Sequence, residues 1–442
     1  TEAGTVQVRD INPGPNSSSP TSLIALNSTV LFSADDGLNG VELWKSDGIQ
    51  AGTVMVKDIN TGMASSDPTD LVVFNSQIYF AASNGAFSDR NVWRTDGSSV
   101  NTVVVTTWAP GFASSNLTVI GNTLFNSVND STGFYLYSIA TNNSATFLGE
   151  VNSTNLTAST TVLYFSGRVG AETELWRSDG TGGGTFSLNI NTTVGAGSNP
   201  SQLVTIGSTL YCVANNGVTG NEIWTSANGG AATQVKDITV GAGGSFIGDM
   251  TVLGTNFFFR NFDAINGYEL WKSDGTNGGT NLLKNIAPGN LDSFPKNLFS
   301  LGGTLYFQAD DYLTGYELWK SNGTSTGTVR VANIRSDEAS SSPTTLTDVN
   351  GTLYFVANDG VNGTELWSST GATATLVSDI NTGGNSLPAN LLNVGGILFF
   401  SASNGTTAGL NGTELWKVEG GVASLVKDIN AGTASSSLSR FV

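Results

Sequence analysis

The stretch GTELWSSTG, Gly363 to Gly371, has relatives all along the chain. They are VELWKSDG around Trp44, NVWRTDG around Trp93, TELWRSDG around Trp176, NEIWTSANG around Trp224, YELWKSDG around Trp271, YELWKSNG around Trp319 and TELWKVEGG around Trp416. A degenerate copy, FYLYSIA, puts Tyr137 in the tryptophan slot. Successive slots lie 49, 44, 39, 48, 47, 48, 48 and 49 residues apart, so nine copies recur at a period near 48. A period of that size marks propeller blades or solenoid coils.

Each copy holds four short apolar runs separated by turn chemistry. Around Trp367 they are TTLTDV, TLYFVAND, TELWSS and TLVSDIN. Asn350-Gly351 joins the first two, a strong hairpin signal because both central residues favour positive φ. DGVNG joins the second pair, and a glycine-containing stretch joins the third. Runs this short, rich in Val, Leu, Tyr, Phe and Thr, predict strands, and no segment has helical period. Each copy therefore reads as a four-stranded antiparallel meander, with strands a, b, c and d. One such sheet cannot bury two apolar faces alone, but stacking face to face on its neighbours does so. The expected fold is all-β, a β-propeller of nine four-stranded blades forming one repeat domain over residues 1–442. An open β-solenoid or superhelix of the same units is the alternative.

Composition agrees with a turn-rich β-protein. Glycine contributes 55 residues, and 39% of the chain is hydrophobic, too much for a disordered one. Thirty-five acids against eighteen bases leave a net charge of −17, which repels phosphate backbones and argues against nucleic acid as a partner. The single cysteine, Cys212, lies in TLYCVAN where other copies carry Phe, and reads as core. No membrane-length apolar run or signal peptide is present, so direct membrane insertion is not expected. Residue 1 falls inside a turn pattern, which suits a processed or trimmed chain.

The recurrent string, ELWKSDGT followed by GT and then VKDIN-PG-SS-P, resembles the ELWxxDGT repeats of bacterial secreted and surface proteins. The resemblance spans almost the whole chain and is best kept at residues 31–62, 265–289, 305–332 and 351–383. It implies an extracellular, propeller-like module and no particular chemistry. The copies around Tyr137 and Trp224 depart from it.

The two ends repeat each other. Thr5 to Asn12 spell a d strand with no a, b or c before it, and after the ninth d strand the tail SSSLSRFV aligns with the start of another a strand. An extra N-terminal strand at 5–12 and a partial C-terminal strand at 435–442 are therefore expected. Three readings fit: a segment of a longer array, a capping strand on the ring, or an edge that pairs with a neighbouring molecule. In the last case Thr5, Val6, Val8, Leu438 and Phe441 would form the assembly strands.

Candidate sites are few. The b–c loops DDGLNGVE, DDYLTGYE and NDGVNGTE offer Asp36, Asp311 and Asp359 as oxygen ligands for calcium, the only cofactor the sequence suggests; turn capping by the same residues is the competing reading. Trp108 lies outside the repeat slot in a d–a loop and is a candidate ligand contact. Arg90, Arg94, Arg168 and Arg177 fall in the irregular copies, where an arginine cluster would bind carboxylated ligands, with Arg90 and Arg94 the leading pair. In those copies EVNSTN, Glu150 to Asn155, replaces the PG-SS-P connection, which predicts a notch near residues 130–155. Sequons make Asn16, Asn322, Asn362 and Asn411 glycosylation candidates, although Asn-Gly-Thr is also ordinary turn chemistry.

The sequence contains no histidine, which excludes Ser-His-Asp and Cys-His arrangements and imidazole metal sites. Phosphate loops and dinucleotide fingerprints are absent as well. A carboxylate-based glycosidase needs only Asp and Glu, but here the Glu residues recur with the repeat. The expected function is accordingly non-enzymatic: an extracellular building block of a surface layer, sheath or filament, self-associating or joined to other surface proteins through edge strands. A glycan- or protein-binding adhesion propeller is the second reading, and a glycosidase-like enzyme the third.

Overall fold

The computed structural model describes residues 2–85, 89–405, 411–436 and 438. Among these the regular structure is β-strand, apart from one 3-10 turn at Glu2–Gly4. No helix of the described residues is long and apolar enough to cross a membrane.

The eighth copy shows how the sequence builds a blade. Strands a (Thr344–Val349), b (Thr352–Asn358), c (Thr364–Ser369) and d (Ala374–Ser378) pair in chain order, each antiparallel to the next. Asn350 and Gly351 take φ of 52° and 83°, the mirror-image turn that matches the twist of the strands it joins. Strand b pairs with c so that Phe355 faces Trp367, and the same Phe–Trp pair recurs at Phe32–Trp44, Phe259–Trp271, Phe307–Trp319 and Phe400–Trp416.

Consecutive copies stack through these strands. Leu353, Phe355 and Trp367 of the eighth copy pack with Tyr306 and Leu318 of the seventh, and Leu398, Phe400 and Trp416 of the ninth pack with Val349 and Leu366 of the eighth. The first and second copies meet likewise, through Leu31 and Leu43 against Ile78, Phe80 and Trp93. Each fully buried side chain of this size contributes about 1.5–3 kcal/mol by leaving water. Cys212 is core, as its place in the repeat predicts, and burial pushes its thiol pKa up to about 12.

Polar staples complete the stack. The c-strand lysines Lys45, Lys272 and Lys320 donate to the carbonyls of Gly97, Gly323 and Gly371 in the next copy's c–d turn. The d-strand lysines Lys57, Lys236 and Lys284 donate to the carbonyls of Thr102, Thr280 and Thr328. The repeated lysines thus bury their stems along the blade and cap carbonyls of its neighbour.

The all-β class and the four-stranded blade are those expected. The described strands form seven four-stranded sheets and one eight-stranded sheet, in which the second and third copies are joined by parallel pairing of Arg90 with Ala113. Two compact bodies can be distinguished: Val6–Gly217 with Thr225–Thr233, and Val218–Trp224 with the chain from Gln234 onward and the N-terminal segment to Thr5.

The N-terminal expectation needs correction. Residues 5–12 form no strand. Val6 is exposed and Val8 half-buried, while Thr5 accepts a hydrogen bond from Lys427 Nζ at 2.8 Å through its carbonyl. Arg9 donates to the Thr53 carbonyl at 2.6 Å and lies over Trp44, and Ile11 packs against the Phe32–Trp44 cluster. The segment repeats the staple positions of a d strand, Thr5 accepting and Arg9 donating, without strand pairing. At the other end Leu438 is half-buried and its carbonyl accepts from Asn390 Nδ2; Phe441 lies outside the described residues.

Candidate functional site

In regular copies the glutamate before Leu-Trp is buried and pins the d–a loop. Glu42 accepts from the Ile59 N–H at 2.9 Å, the Asn60 N–H at 3.2 Å, and the Ser66 N–H and hydroxyl at 3.0 and 2.6 Å. Glu174, Glu222, Glu269, Glu317 and Glu365 hold the matching isoleucine and serine of their own loops. Burial raises the pKa of Glu42, Glu222, Glu269, Glu317 and Glu365, to about 7 for Glu222 and Glu269. The pinned loop lies against the b–c turn. A Cβ on Gly40 would come within 2.9 Å of the Met63 carbonyl, and one on Gly363 would strike the Gly384 carbonyl.

The third copy breaks this arrangement. Tyr135 replaces the pinning glutamate, and strand d (Ala145–Glu150) runs into strand a of the fourth copy (Asn152–Ala158) with Val151 alone between them. No d–a loop is left to cover the b–c turn. The fourth copy's own b–c connection is also short, with Leu163–Val169 returning as Glu172–Ser178. The space so vacated is a cleft of about 500 Å³, lined by residues 130–134 of one turn, 168–170 of the other, and Glu150, Val151 and Asn152 between them. It lies at the shortened 39-residue interval, where the spacing predicts a notch.

Three charged groups face this cleft. Asp130 Oδ1 accepts from the Thr132 hydroxyl and N–H, both at 2.7 Å, and from the Gly133 N–H at 2.8 Å. The Thr132 hydroxyl bond, foremost among these, holds the Asp130 carboxyl below its ordinary range, so it is anionic at neutral pH. Glu150 pairs with Tyr135 across strands c and d. Gly133 is the repeat glycine that elsewhere meets the d–a loop; here a Cβ on it would lie 3.2 Å from both Glu150 Oε1 and the Tyr135 hydroxyl. The Glu150 carboxylate and the Tyr135 hydroxyl therefore converge over an uncovered glycine. On the facing turn, Arg168 Nε donates to the Gly170 carbonyl at 3.0 Å. Phe134, 48% exposed, and Val169, 50% exposed, give the rim its apolar surface.

The structure places the sequence candidates as follows. Trp108 does not line the cleft. Its ring packs on Tyr137, centroids 4.5 Å apart, and its indole N–H donates to the Ser114 hydroxyl at 2.8 Å. It thus supplies aromatic bulk beside a tryptophan slot filled by the smaller tyrosine, and Phe147 closes the cluster at 5.4 Å. Arg90 is inside the blade, donating to the Asp67 and Ala81 carbonyls and to the Thr69 hydroxyl, so its expected ligand contact is corrected to a structural one. Arg94 donates to Gln77 Oε1. Arg177 bonds Asp179 and the Gly229 carbonyl, which leaves Arg168 alone of the four at the cleft.

The calcium candidates are engaged in their own turns. Asp36 Oδ1 accepts from the Leu38 and Asn39 N–H groups, Asp359 Oδ1 from those of Val361 and Asn362, and Asp311 Oδ1 from those of Leu313 and Thr314. Asp311 also pairs with Arg330 at 2.8 Å. The turn-capping reading accounts for all three, and no group of three His, Cys, Asp or Glu side chains able to hold a metal ion occurs among the described residues. Among the sequons, Asn362 Nδ2 donates to Asp359 and Asn411 Nδ2 to Asp428, Asn322 Oδ1 accepts within its turn, and Asn16 is exposed.

No family model matches the chain, and no curated protein is similar to it. Among solved structures it is similar to a puromycin hydrolase mutant complexed with PGG (12% identity, TM-score 0.38, 73% of this chain and 54% of that one). It is also similar to a dipeptidyl peptidase 4 of Porphyromonas gingivalis (11%, TM-score 0.48, 83% and 60%) and to a prolyl endopeptidase (12%, TM-score 0.35, 70% and 48%). The chain spans about half to three-fifths of the length of these proteins. The expected role as a surface-layer or filament building block is corrected here: the segment expected to join molecules forms no strand and is held by Lys427 and Thr53 of its own chain.

Proposed function

We propose that the chain is a small-ligand recognition module whose working surface is the cleft between the third and fourth copies. One observation carries this reading. Regular copies engage their glutamates, turn aspartates and lysines internally, whereas the cleft presents the Glu150 carboxylate and the Arg168 guanidinium, beside a Tyr135 hydroxyl tied to the Thr132 hydroxyl at 2.8 Å. A concave site of this volume with a few convergent polar groups is the usual form of a small-ligand site. With no histidine in the chain and its one thiol buried, this cleft holds no imidazole-activated nucleophile. The resemblance to ELWxxDGT repeats favours a secreted or cell-surface setting.

The test is a thermal-shift panel of amino acids, dipeptides and mono- and disaccharides on the wild type and on Glu150→Gln/Arg168→Gln. The expected result is one ligand class that raises the melting temperature of the wild type and not of the double variant. Equal shifts in both proteins, or none in either, would remove the cleft from consideration.

A further inference from the structure

The cleft has two chemically opposite ends. Over Gly133, the Glu150 carboxylate and the Tyr135 hydroxyl converge on one point, each 3.2 Å from where a Cβ would stand; the hydroxyl also bonds the Thr132 hydroxyl at 2.8 Å and keeps a lone pair to accept, with the Asp130 carboxylate held anionic in the turn beneath. The Glu150 backbone pairs with Tyr135, but its carboxylate has no hydrogen-bond partner among the described residues and is free to accept. Across the cleft, Arg168 donates its Nε to the Gly170 carbonyl, which fixes the side chain, and among the described residues both terminal amino groups of the fork are unbonded. A planar fork with two free donors is the natural partner of a carboxylate. Beside it, half-exposed Phe134 and Val169 offer apolar contact.

We propose that the ligand is a free peptide of about two residues, its α-ammonium over Gly133 against Glu150 and Tyr135 and its α-carboxylate on Arg168, with an apolar side chain against Phe134. This rests on the reading of the cleft as a binding site and gives its ligand a class. Several observations favour a zwitterion over a sugar. The acceptors and the donor fork are charged and lie on opposite turns, and the regular turn that would have covered them is missing. A neutral polyol would leave both charges without a counter-charge in a partly dehydrated site, at a cost in affinity. The oxygens over Gly133 suit an ammonium of three donors.

Isothermal titration calorimetry on the full chain tests this with Ala-Phe, N-acetyl-Ala-Phe and Ala-Phe amide. Glu150→Gln and Arg168→Gln are the variants; both positions are exposed, so the fold is kept. Blocking either end of the peptide should weaken binding at least tenfold. Glu150→Gln should weaken Ala-Phe tenfold yet leave the acetylated peptide unchanged, and Arg168→Gln should behave likewise toward the amide. If the three peptides bind equally, or none binds while a saccharide or amino acid binds in a manner sensitive to Glu150→Gln, the ligand class is wrong and the cleft reading stands. If no compound distinguishes the wild type from either variant, both fall together.

Discussion

Replacing Glu269 by glutamine should destabilise the protein far more in acid than in alkali. Glu269 is fully buried, and its carboxyl accepts from the Ile286 N–H at 2.8 Å, the Ala287 N–H at 3.0 Å and the Ser293 hydroxyl at 2.7 Å. Two effects oppose each other there: the donors favour the anion, and removal from water favours the neutral acid. Burial is the larger, and it pushes the pKa from 4.5 up to about 7. A folded pKa above the unfolded one means stability fully present below about 4.5 and lost as pH rises through 7. The gap corresponds to about 3 kcal/mol. Glutamine keeps the shape and cannot titrate, so it removes this slope while the other buried glutamates cancel between the two proteins. The cost of Glu269→Gln should therefore be about 3 kcal/mol greater at pH 4.5 than at pH 8, read from denaturant midpoints followed by tryptophan fluorescence. An equal cost at both pH values, or a larger one at pH 8, would show that the donor cage outweighs burial and that the pin works as an anion.

Two further outcomes test the blade itself. Phe307 is fully buried between the sixth and seventh copies with Phe258, Leu270 and Trp319, so Phe307→Ala should cost about 3–5 kcal/mol in the same denaturation assay. Gly351 and Gly363 have nearly equal φ, 83° and 81°, but a Cβ on Gly351 meets open space and one on Gly363 meets the Gly384 carbonyl. Gly351→Ala should cost about 1–2 kcal/mol from left-handed strain alone, and Gly363→Ala at least twice as much; equal costs would deny that the d–a loop rests on that glycine.

The blade was legible because its signals are local. The Asn350-Gly351 turn, the alternating apolar runs and the recurring tryptophan each report on residues within one hairpin, and the structure has them in that order. The role of the repeated glutamate was not legible, since its partners sit 15–24 residues away and only the return of the d–a loop brings Ile59 and Ser66 over Glu42. Arg90 was misread for a related reason: its acceptors are largely backbone carbonyls, which leave no mark on a sequence. Trp108 did carry a usable signal. A tryptophan outside the slot and a tyrosine inside it are two departures in adjoining copies, and each explains the other once Trp108 is seen on Tyr137. The 39-residue interval marked the cleft, but its lining depended on b–c turns and d–a loops sharing one edge of the blades, which the pairing order supplies.

In a repeat of this kind, function is best sought in what the repeat does not consume. Each regular copy uses its polar side chains to hold itself and its neighbour: glutamate for the loop, aspartate for the turn, lysine for the next blade's carbonyl. Where a loop is lost, as at the third copy, the Glu150 carboxylate and the Arg168 fork are left free of such duties among the described residues. Arg335 stands over Gly360 in a smaller space of about 320 Å³ that Gly363 also lines, and at first sight it matches Arg168. Its guanidinium, however, already pairs with Asp337 through two bonds of 2.8 and 3.2 Å, and the eighth copy's d–a loop at Gly383–Asn385 lines the same space. A ligand there would have to displace a chelated ion pair and a resident loop. At the third copy the loop is already absent, and Arg168 keeps both terminal amino groups for an incoming carboxylate.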